Sequence, residues 1–411
     1  MNKYKVSVII PAYNPGTLII RCVDSICNQT LKELEIIVID DCSNDGSIEK
    51  IKEKATLDNR IKVITNENNI GAGPSRNKGI EVSKGEYLSF IDADDYVERD
   101  YYELLYKKAK DNNLDIVKGT IIHEKNKKEI ITGRRKLNED IQRDIKNKPL
   151  FLSYTYQHHC SLYRREMIIN NKLTYGKSKR AQDVTFLLKV CLEARSFDFE
   201  ERAKYHFCEY ENSAMHQMDE ASLKGLIESL QEQIEYLLEK RVEGKYADAY
   251  ITTKATQLIR EYYRFTRDQI DKQEWFIDEL INILKHYPAY ERLKEKSFSI
   301  KALLDYKAIL PTVPHFLPWE KEKPEAWLEL IKIWIDFLDD HNDLEAENIY
   351  KLGGMVGNAK RWGAKNKDIN KILNKLSVFT QVRIKTHGLL SSKLSKNTKR
   401  YIKSIYNNIT N

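Results

Sequence analysis

Tyr87-Leu88-Ser89-Phe90-Ile91-Asp92-Ala93-Asp94-Asp95 is an apolar run of strand-forming residues that stops in three carboxylates within four positions. Clustered anions repel one another and are costly to take out of water, so a buried strand seldom ends this way without a cation nearby. The cluster reads either as a divalent-metal site or as a polar turn in which Asp92 or Asp94 caps the segment starting near Tyr96. The flanking sequence chooses between the two.

Three strand-like runs precede it. Val6-Ser7-Val8-Ile9-Ile10 is closed by Pro11, Glu35-Ile36-Ile37-Val38-Ile39 runs into Asp40-Asp41, and Ile61-Lys62-Val63-Ile64 leads to Asn66-Glu67-Asn68. Between them Leu18, Cys22, Val23 and Ile26, then Ile48, Ile51 and Ala55, recur at helical spacing, and Gly71 to Pro74 opens a further helix. Alternation of strand and helix predicts an α/β fold with right-handed crossovers and a mostly parallel, Rossmann-like sheet. Ligands of such sheets sit beyond the carboxyl ends of the strands. The unusual residues fall at those ends: Pro11-Ala12-Tyr13-Asn14, Asp40-Asp41, the loop from Asn69 to Asn77, and Asp92 to Asp95. An aromatic ring for a base, a carboxylate for a base N–H, an arginine for phosphate and an acidic pair for a metal together suit a nucleoside diphosphate. Each has a plainer reading alone: Tyr13 packed, Asp41 or Asp40 capping a turn, Arg76 solvated, Gly71 and Gly73 serving the backbone.

Taken together, Ser-Val-Ile-Ile-Pro-Ala-Tyr-Asn, Asp-Asp-Cys-Ser-Asn-Asp-Gly-Ser, Gly-Pro-Ser-Arg-Asn-Lys-Gly-Ile and Asp-Ala-Asp-Asp resemble the family 2 inverting glycosyltransferases of GT-A fold, in their bacterial cell-envelope form. The resemblance covers roughly the first half of the chain. It implies a nucleotide-sugar donor, most often UDP-linked, and a divalent metal, Mn2+ or Mg2+. It places Pro11, Ala12, Tyr13, Asn14, Asp41, Gly71, Arg76, Asp92 and Ala93 around the donor. Asp94 becomes the main metal ligand, with Asp92 facing ribose or metal and Asp95 a neighbour. Further on, Arg180-Ala181-Gln182-Asp183 opens an apolar helix, where an Asp is ordinarily stabilised by the helix dipole. The resemblance makes Asp183 the catalytic base, with Gln182 where the family carries Glu. It also makes His216, after the strand-like Tyr205-His206-Phe207-Cys208, a candidate third metal ligand.

Other stretches carry less. His158-His159, read as neighbours on one strand, should point to opposite faces and pack or touch acceptor rather than share a metal. The charged stretch 125–148 reads as an insertion on the acceptor side. From about Glu220 helical stripes take over: Leu223 to Leu238, Phe276 to Leu284, and Trp327 to Leu338 after Pro324. A catalytic domain over 1–218 and a helical accessory domain over 219–411, for acceptor binding, self-association or membrane apposition, are therefore expected. The tail from Arg383 has seven cationic and no acidic residues among Leu389, Leu390 and Ile402, a pattern that can dock on anionic lipid or form a solvated helix face.

The 411 residues carry a net charge of +7, with 41% hydrophobic and 31% charged residues, as expected of a globular protein with two cores. No apolar run approaches the roughly 20 residues of a membrane span, and no signal peptide is evident, so the cytoplasm or its membrane face is expected. The six cysteines lack zinc spacing and are expected to be reduced. The basic residues concentrate only in the tail, which argues against nucleic acid. A phosphoacceptor receiver domain would need an Asp at the third strand end, where Asn66-Glu67-Asn68 stands. A catalytically silent nucleotide-sugar or glycan binder remains the alternative, opposed by the presence of both Asp94 and Asp183. The acceptor is expected to be a glycan, a lipid-linked sugar or a protein.

Overall fold

The computed structural model describes residues 3–124, 128–130, 158–178, 180–210, 219–242, 274–288 and 364–374, with isolated positions between 247 and 360. His216, most of the charged stretch 125–148, Trp327, Trp334 and the basic tail lie outside the described residues.

The four expected strands form, as β1 (Val6–Ala12), β2 (Leu34–Asp40), β3 (Ile61–Thr65) and β4 (Tyr87–Phe90). They run parallel in the order β3-β2-β1-β4, with Ile9 opposite Ile37 on one side and Phe90 on the other. Every residue of β1 and β2 is buried, because helices cover both faces and continuous β-branched runs suit a strand with no solvent side. The crossovers are α1 (Leu18–Cys27), α2 (Ser47–Leu57) and α3 (Ala72–Val82). Cys22, Val23 and Ile26 of α1 and Ile48 and Ile51 of α2 turn into the core as their spacing predicts.

Beyond β4 the sheet becomes mixed. β5 (Tyr96–Val97) and α4 (Tyr101–Asp111) follow, then β6 (Ile116–His123), β7 (Lys128–Ile130), β8 (Ser161–Arg164), α5 (Arg165–Asn170), α6 (Gln182–Glu193) and β9 (Phe197–Phe207). β8 pairs antiparallel with β4 and β6, β9 lies parallel to β6, β5 closes the edge antiparallel to β9, and β7 pairs with β6. Every described element after β9 is a helix: α7 (Glu220–Glu239), α8 (Glu274–His286) and α9 (Asn366–Leu373). The chain divides into two compact units, Met1–Ile251 and Thr252–Asn411, so α7 lies within the first, whereas the change in sequence character was read at 218/219. In α8, Phe276, Leu280, Ile281 and Leu284 are buried, matching the expected stripe. Among the described residues no helix is long and apolar enough to cross a membrane. None of the six cysteines forms a disulfide.

Two close approaches along β1 set the frame. At its start, the fully buried Glu35 carboxylate accepts from Ser7 Oγ, Lys62 Nζ and Lys84 N (2.8 Å), so both its oxygens are hydrogen-bonded. Toward its middle, α3 presses so near that a Cβ on Gly79 would stand 2.4 Å from Ile9 Cγ2. A helix-interior glycine replaced by alanine ordinarily gains about 1 kcal/mol. Here overpacking should instead cost about 1–3 kcal/mol. Gly79→Ala is therefore expected to lower the urea midpoint; a variant at least as stable as the parent would show that this contact is not tight.

Candidate active site

The parallel strands deliver their carboxyl ends to one edge, and the loops there are tied to one another by side chains. After β1, Pro11 and Ala12 are buried while Tyr13 stands 57% exposed at the rim. Asn14 adopts φ +47°, a conformation Asn tolerates better than most residues. Its N–H donates to Ser43 Oγ (3.0 Å), its Oδ1 accepts from Asn44 N (2.8 Å), and Gly16 N donates to Asp45 Oδ2 (2.7 Å). The β1 and β2 loops thus form one wall, leaving the Tyr13 ring open to solvent.

Asp40 and Asp41 are both buried and divide the work. Asp40 Oδ1 accepts from Ser43 N (2.9 Å), closing the β2 turn. Asp41 reaches the next loop, accepting from Asn66 Nδ2 (2.8 Å) and Ile70 N (2.9 Å) at Oδ1 and from Gly71 N (2.7 Å) at Oδ2. A carboxylate offers about four acceptor sites, so one remains for a ligand N–H. Gly71 sits at φ +89°, where a side chain would be strained, and this turn starts α3.

The motif on α3 is then accounted for residue by residue. Ser75 Oγ accepts from Asn66 Nδ2 (3.0 Å), and Lys78 Nζ donates to Asn66 Oδ1 (3.0 Å). Asn77 brackets the Tyr175 backbone, accepting from its N–H (2.7 Å) and donating to its carbonyl (3.3 Å). Arg76, only 5% exposed, donates from Nη2 to Asp92 Oδ1 at 2.6 Å, and its guanidinium lies 5.2 Å above the Tyr175 ring. Burial alone would lower the arginine pKa, but Asp92, with Tyr175 and Asp183 nearby, more than offsets it. Burial would likewise raise the Asp92 carboxyl; Arg76, His158 and His159 hold it well below the usual carboxylate range. Arg76 is therefore no solvated helix residue.

The three carboxylates take distinct roles. Asp95 is buried, accepting from Tyr205 Oη (2.6 Å) and Cys208 N (2.8 Å), so both its oxygens are tied to β9 and the segment beyond it. Burial, with Asp92 and Asp94 beside it, pushes its carboxyl up. Among the described residues, none other than Asp94 itself donates to the Asp94 carboxylate. Burial and the adjacent Asp92 raise it to about 6. An anion held at that cost with no donor from another described residue matches what a cation would stabilise. The Asp94 carbonyl accepts from Arg21 Nη2 (2.6 Å), which also donates to Cys208 Sγ (3.2 Å) and Tyr210 Oη (3.1 Å). This clip was not legible in the sequence, because Arg21 sits alone on α1 with no motif around it. Among the described residues no group of three His, Cys, Asp or Glu side chains forms a metal cage.

Asp183 lies in the first turn of α6, its Oδ2 3.7 Å from His158 Nδ1. Burial would raise its carboxyl, but His158 and then Arg76 bring it below the usual value, so it is ionised near neutrality. Gln182 orients its amide so that Nε2 donates to Ser178 O (2.9 Å) and Oε1 accepts from Gly73 N (3.3 Å), joining α6 to the start of α3. Ala181, at φ +53°, is held by α7: Ser229 Oγ donates to its carbonyl (3.0 Å) and meets Thr185 Oγ1 (3.0 Å), and Lys189 pairs with Glu232 (2.8 Å). The expectation for His158 and His159 is corrected: they form a turn ahead of β8 rather than strand neighbours, so their rings lie together, 5.3 Å apart and edge to face.

Residues 7–171 match the family described as glycosyl transferase family 2. A 207-residue stretch is 35% identical to the putative glycosyltransferase EpsH of Bacillus subtilis (strain 168), covering 49% of this chain and 60% of that protein. Another 207-residue match, 29% identical, is to the poly(ribitol-phosphate) beta-N-acetylglucosaminyltransferase TarP of Staphylococcus aureus (strain N315), covering 49% of this chain and 62% of that protein. The match thus spans about three fifths of the length of these curated relatives. Among solved structures, S. aureus TarS 1–349 in complex with UDP-GlcNAc aligns with a TM-score of 0.58 at 20% identity, over 73% of this chain and 87% of that one. The chain carries a glycosyl transferase family 2 domain, built on the GT-A fold.

Proposed function

We propose that this protein is an inverting glycosyltransferase that moves a sugar from a nucleoside-diphosphate donor, UDP-linked, to a hydroxyl of a surface polysaccharide, teichoic-acid-like polymer or glycoprotein. The observation that carries this reading is the convergence of Tyr13, Asp41, Arg76, the elevated carboxyl of Asp94 and the ionised Asp183 at one sheet edge. The poly(ribitol-phosphate) in the name of TarP supports a polyhydroxyl acceptor, and the UDP-GlcNAc bound in the TarS structure supports a UDP-linked donor.

In this reading the Tyr13 ring stacks on the base, and the last acceptor site of Asp41 takes a base N–H. Asp94 and Asp92 would hold Mn2+ or Mg2+, with His216 the candidate third protein ligand and diphosphate oxygens completing the oxygen-rich shell. Bound there, the metal supplies positive charge against the departing diphosphate. Asp183 takes the proton of the acceptor hydroxyl as that oxygen bonds to the anomeric carbon. The bond from that carbon to the diphosphate oxygen breaks with its electron pair, and attack opposite the leaving group inverts the centre. Arg76 keeps Asp92 ionised and aimed, and α7 braces the helix that bears the base.

Asp183→Asn is expected to lower kcat by about 10²- to 10⁴-fold while donor binding, read by calorimetry with UDP and Mn2+, stays intact. Full rate in that variant would remove the base assignment. Asp94→Asn should lose Mn2+ binding measured by electron paramagnetic resonance; unchanged binding would place the metal elsewhere. Because the Asp94 carboxyl titrates near about 6, protons compete with metal below that value. Mn2+ affinity should therefore fall by up to about tenfold per pH unit as pH drops through 6. A flat profile between pH 7 and 5 contradicts this.

A further inference from the structure

His158 is 4% exposed, and among the described residues neither of its ring nitrogens has a hydrogen-bond partner. Buried polar groups are almost always paired, so an imidazole with both nitrogens idle calls for an explanation. Its surroundings fix the ring without satisfying it. The His158 carbonyl accepts from Tyr163 Oη at 2.8 Å, which anchors the backbone. The ring packs 5.4 Å from Tyr175 and 6.3 Å from Phe90, and the stacked Tyr175 and Phe186 rings, 4.2 Å apart, continue that apolar wall. Among the described residues the one carboxylate within 4 Å of a His158 ring nitrogen is Asp183, whose Oδ2 stands 3.7 Å from Nδ1, slightly beyond hydrogen-bond length. Hydrogen bonds of catalytic groups are often long before substrate is bound and tighten in the complex. A carboxylate at that distance favours the tautomer with the proton on Nδ1.

We propose that His158 is a positioning residue for Asp183: with acceptor bound, its Nδ1–H closes onto Asp183 Oδ2 and leaves Oδ1 aimed at the attacking hydroxyl. This rests on the reading of Asp183 as the base. A base needs a third group to orient it, and Gln182, which stands beside Asp183, is already spent on Ser178 and Gly73. The aromatic wall keeps water from the ring, so the contact is not diluted by competing donors. His158 touches no substrate in this arrangement and transfers no proton; it acts only through the carboxylate.

Three substitutions separate orientation from packing. His158→Phe keeps a ring against Phe90 and Tyr175 but has no donor. His158→Asn places an amide N–H near the position of Nδ1, and His158→Gln places it near that of Nε2. Turnover is read as UDP release from UDP-glucose, UDP-galactose and UDP-N-acetylglucosamine with Mn2+ and water as acceptor, beside Asp183→Asn. His158→Phe is expected to lose about 10- to 100-fold in kcat, the worth of one hydrogen bond to a charged group, with donor KM within about twofold. His158→Asn should recover most of that loss and His158→Gln should not. Unchanged kcat in His158→Phe, equal rates for Asn and Gln, or a loss confined to KM overturns the proposal. If His158→Phe does not fold, the Asn and Gln pair decides alone. An inactive Asp183→Asn beside a fully active His158→Phe removes this inference only, whereas an active Asp183→Asn, or no release from any donor by the parent protein, removes the functional reading and this inference with it.

Discussion

The site depends on one ion pair whose arginine is buried. Arg76 and Asp92, 2.6 Å apart, come from α3 and from the end of β4, and only 7% of the Arg76 side chain is exposed. A buried charge without its partner would cost several kcal/mol, so each residue fixes where the other must be. That constraint orders the rest. Arg76 lies over Tyr175, whose backbone Asn77 brackets, and Tyr175 stacks on Phe186 of the helix that carries Asp183. The acidic cluster and the proposed base are therefore connected through one aromatic and guanidinium stack rather than by the loops between them. With Arg76 neutralising Asp92, the remaining unrelieved charge falls on Asp94. There is a physical reason, then, why three adjacent carboxylates end with one paired, one tied to the scaffold and one left for a cation.

Much of this was legible because it follows periodicity. Runs such as Val6 to Ile10 and Glu35 to Ile39, short and β-branched, read as strands buried on both faces, and the special residues at their ends mark one edge of the sheet. The helical stripes of α1, α2 and α8 were equally plain, since each turns its apolar side inward. The motif Gly-Pro-Ser-Arg-Asn-Lys could be placed at the helix start, but not its division of labour. Nothing in sequence spacing tells that Ser75 and Lys78 hold Asn66 while Asn77 holds Tyr175, 98 residues away. Asp41, read as a partner for the base, proves to spend three of its acceptor sites on the neighbouring loop.

What escaped sequence reading are polar contacts between distant elements, which leave no periodic trace. Arg21 binds the Asp94 carbonyl across 73 residues and Ser229 binds the Ala181 carbonyl across 48, and each is an isolated polar residue on an amphipathic helix. The second of these changes the meaning of α7. Read as the first element of an accessory region, it lies in the first unit and braces the base helix through Ser229 and Glu232, with Gln233 donating to Ser229. His158 and His159 were misplaced for a related reason. The strand begins only at Ser161, so the alternation that separates neighbours on a strand does not reach them.

In the proposed function a donor diphosphate lies between a cation on Asp94 and the carboxylate of Asp183. A crystal structure of the protein with Mn2+ and a non-hydrolysable UDP-sugar is the decisive measurement. It should show the metal on Asp94 and the diphosphate, the base against Tyr13, and Asp183 facing the anomeric carbon from the side opposite the diphosphate. A donor seated away from Asp94, or an anomeric carbon turned away from Asp183, would contradict that function.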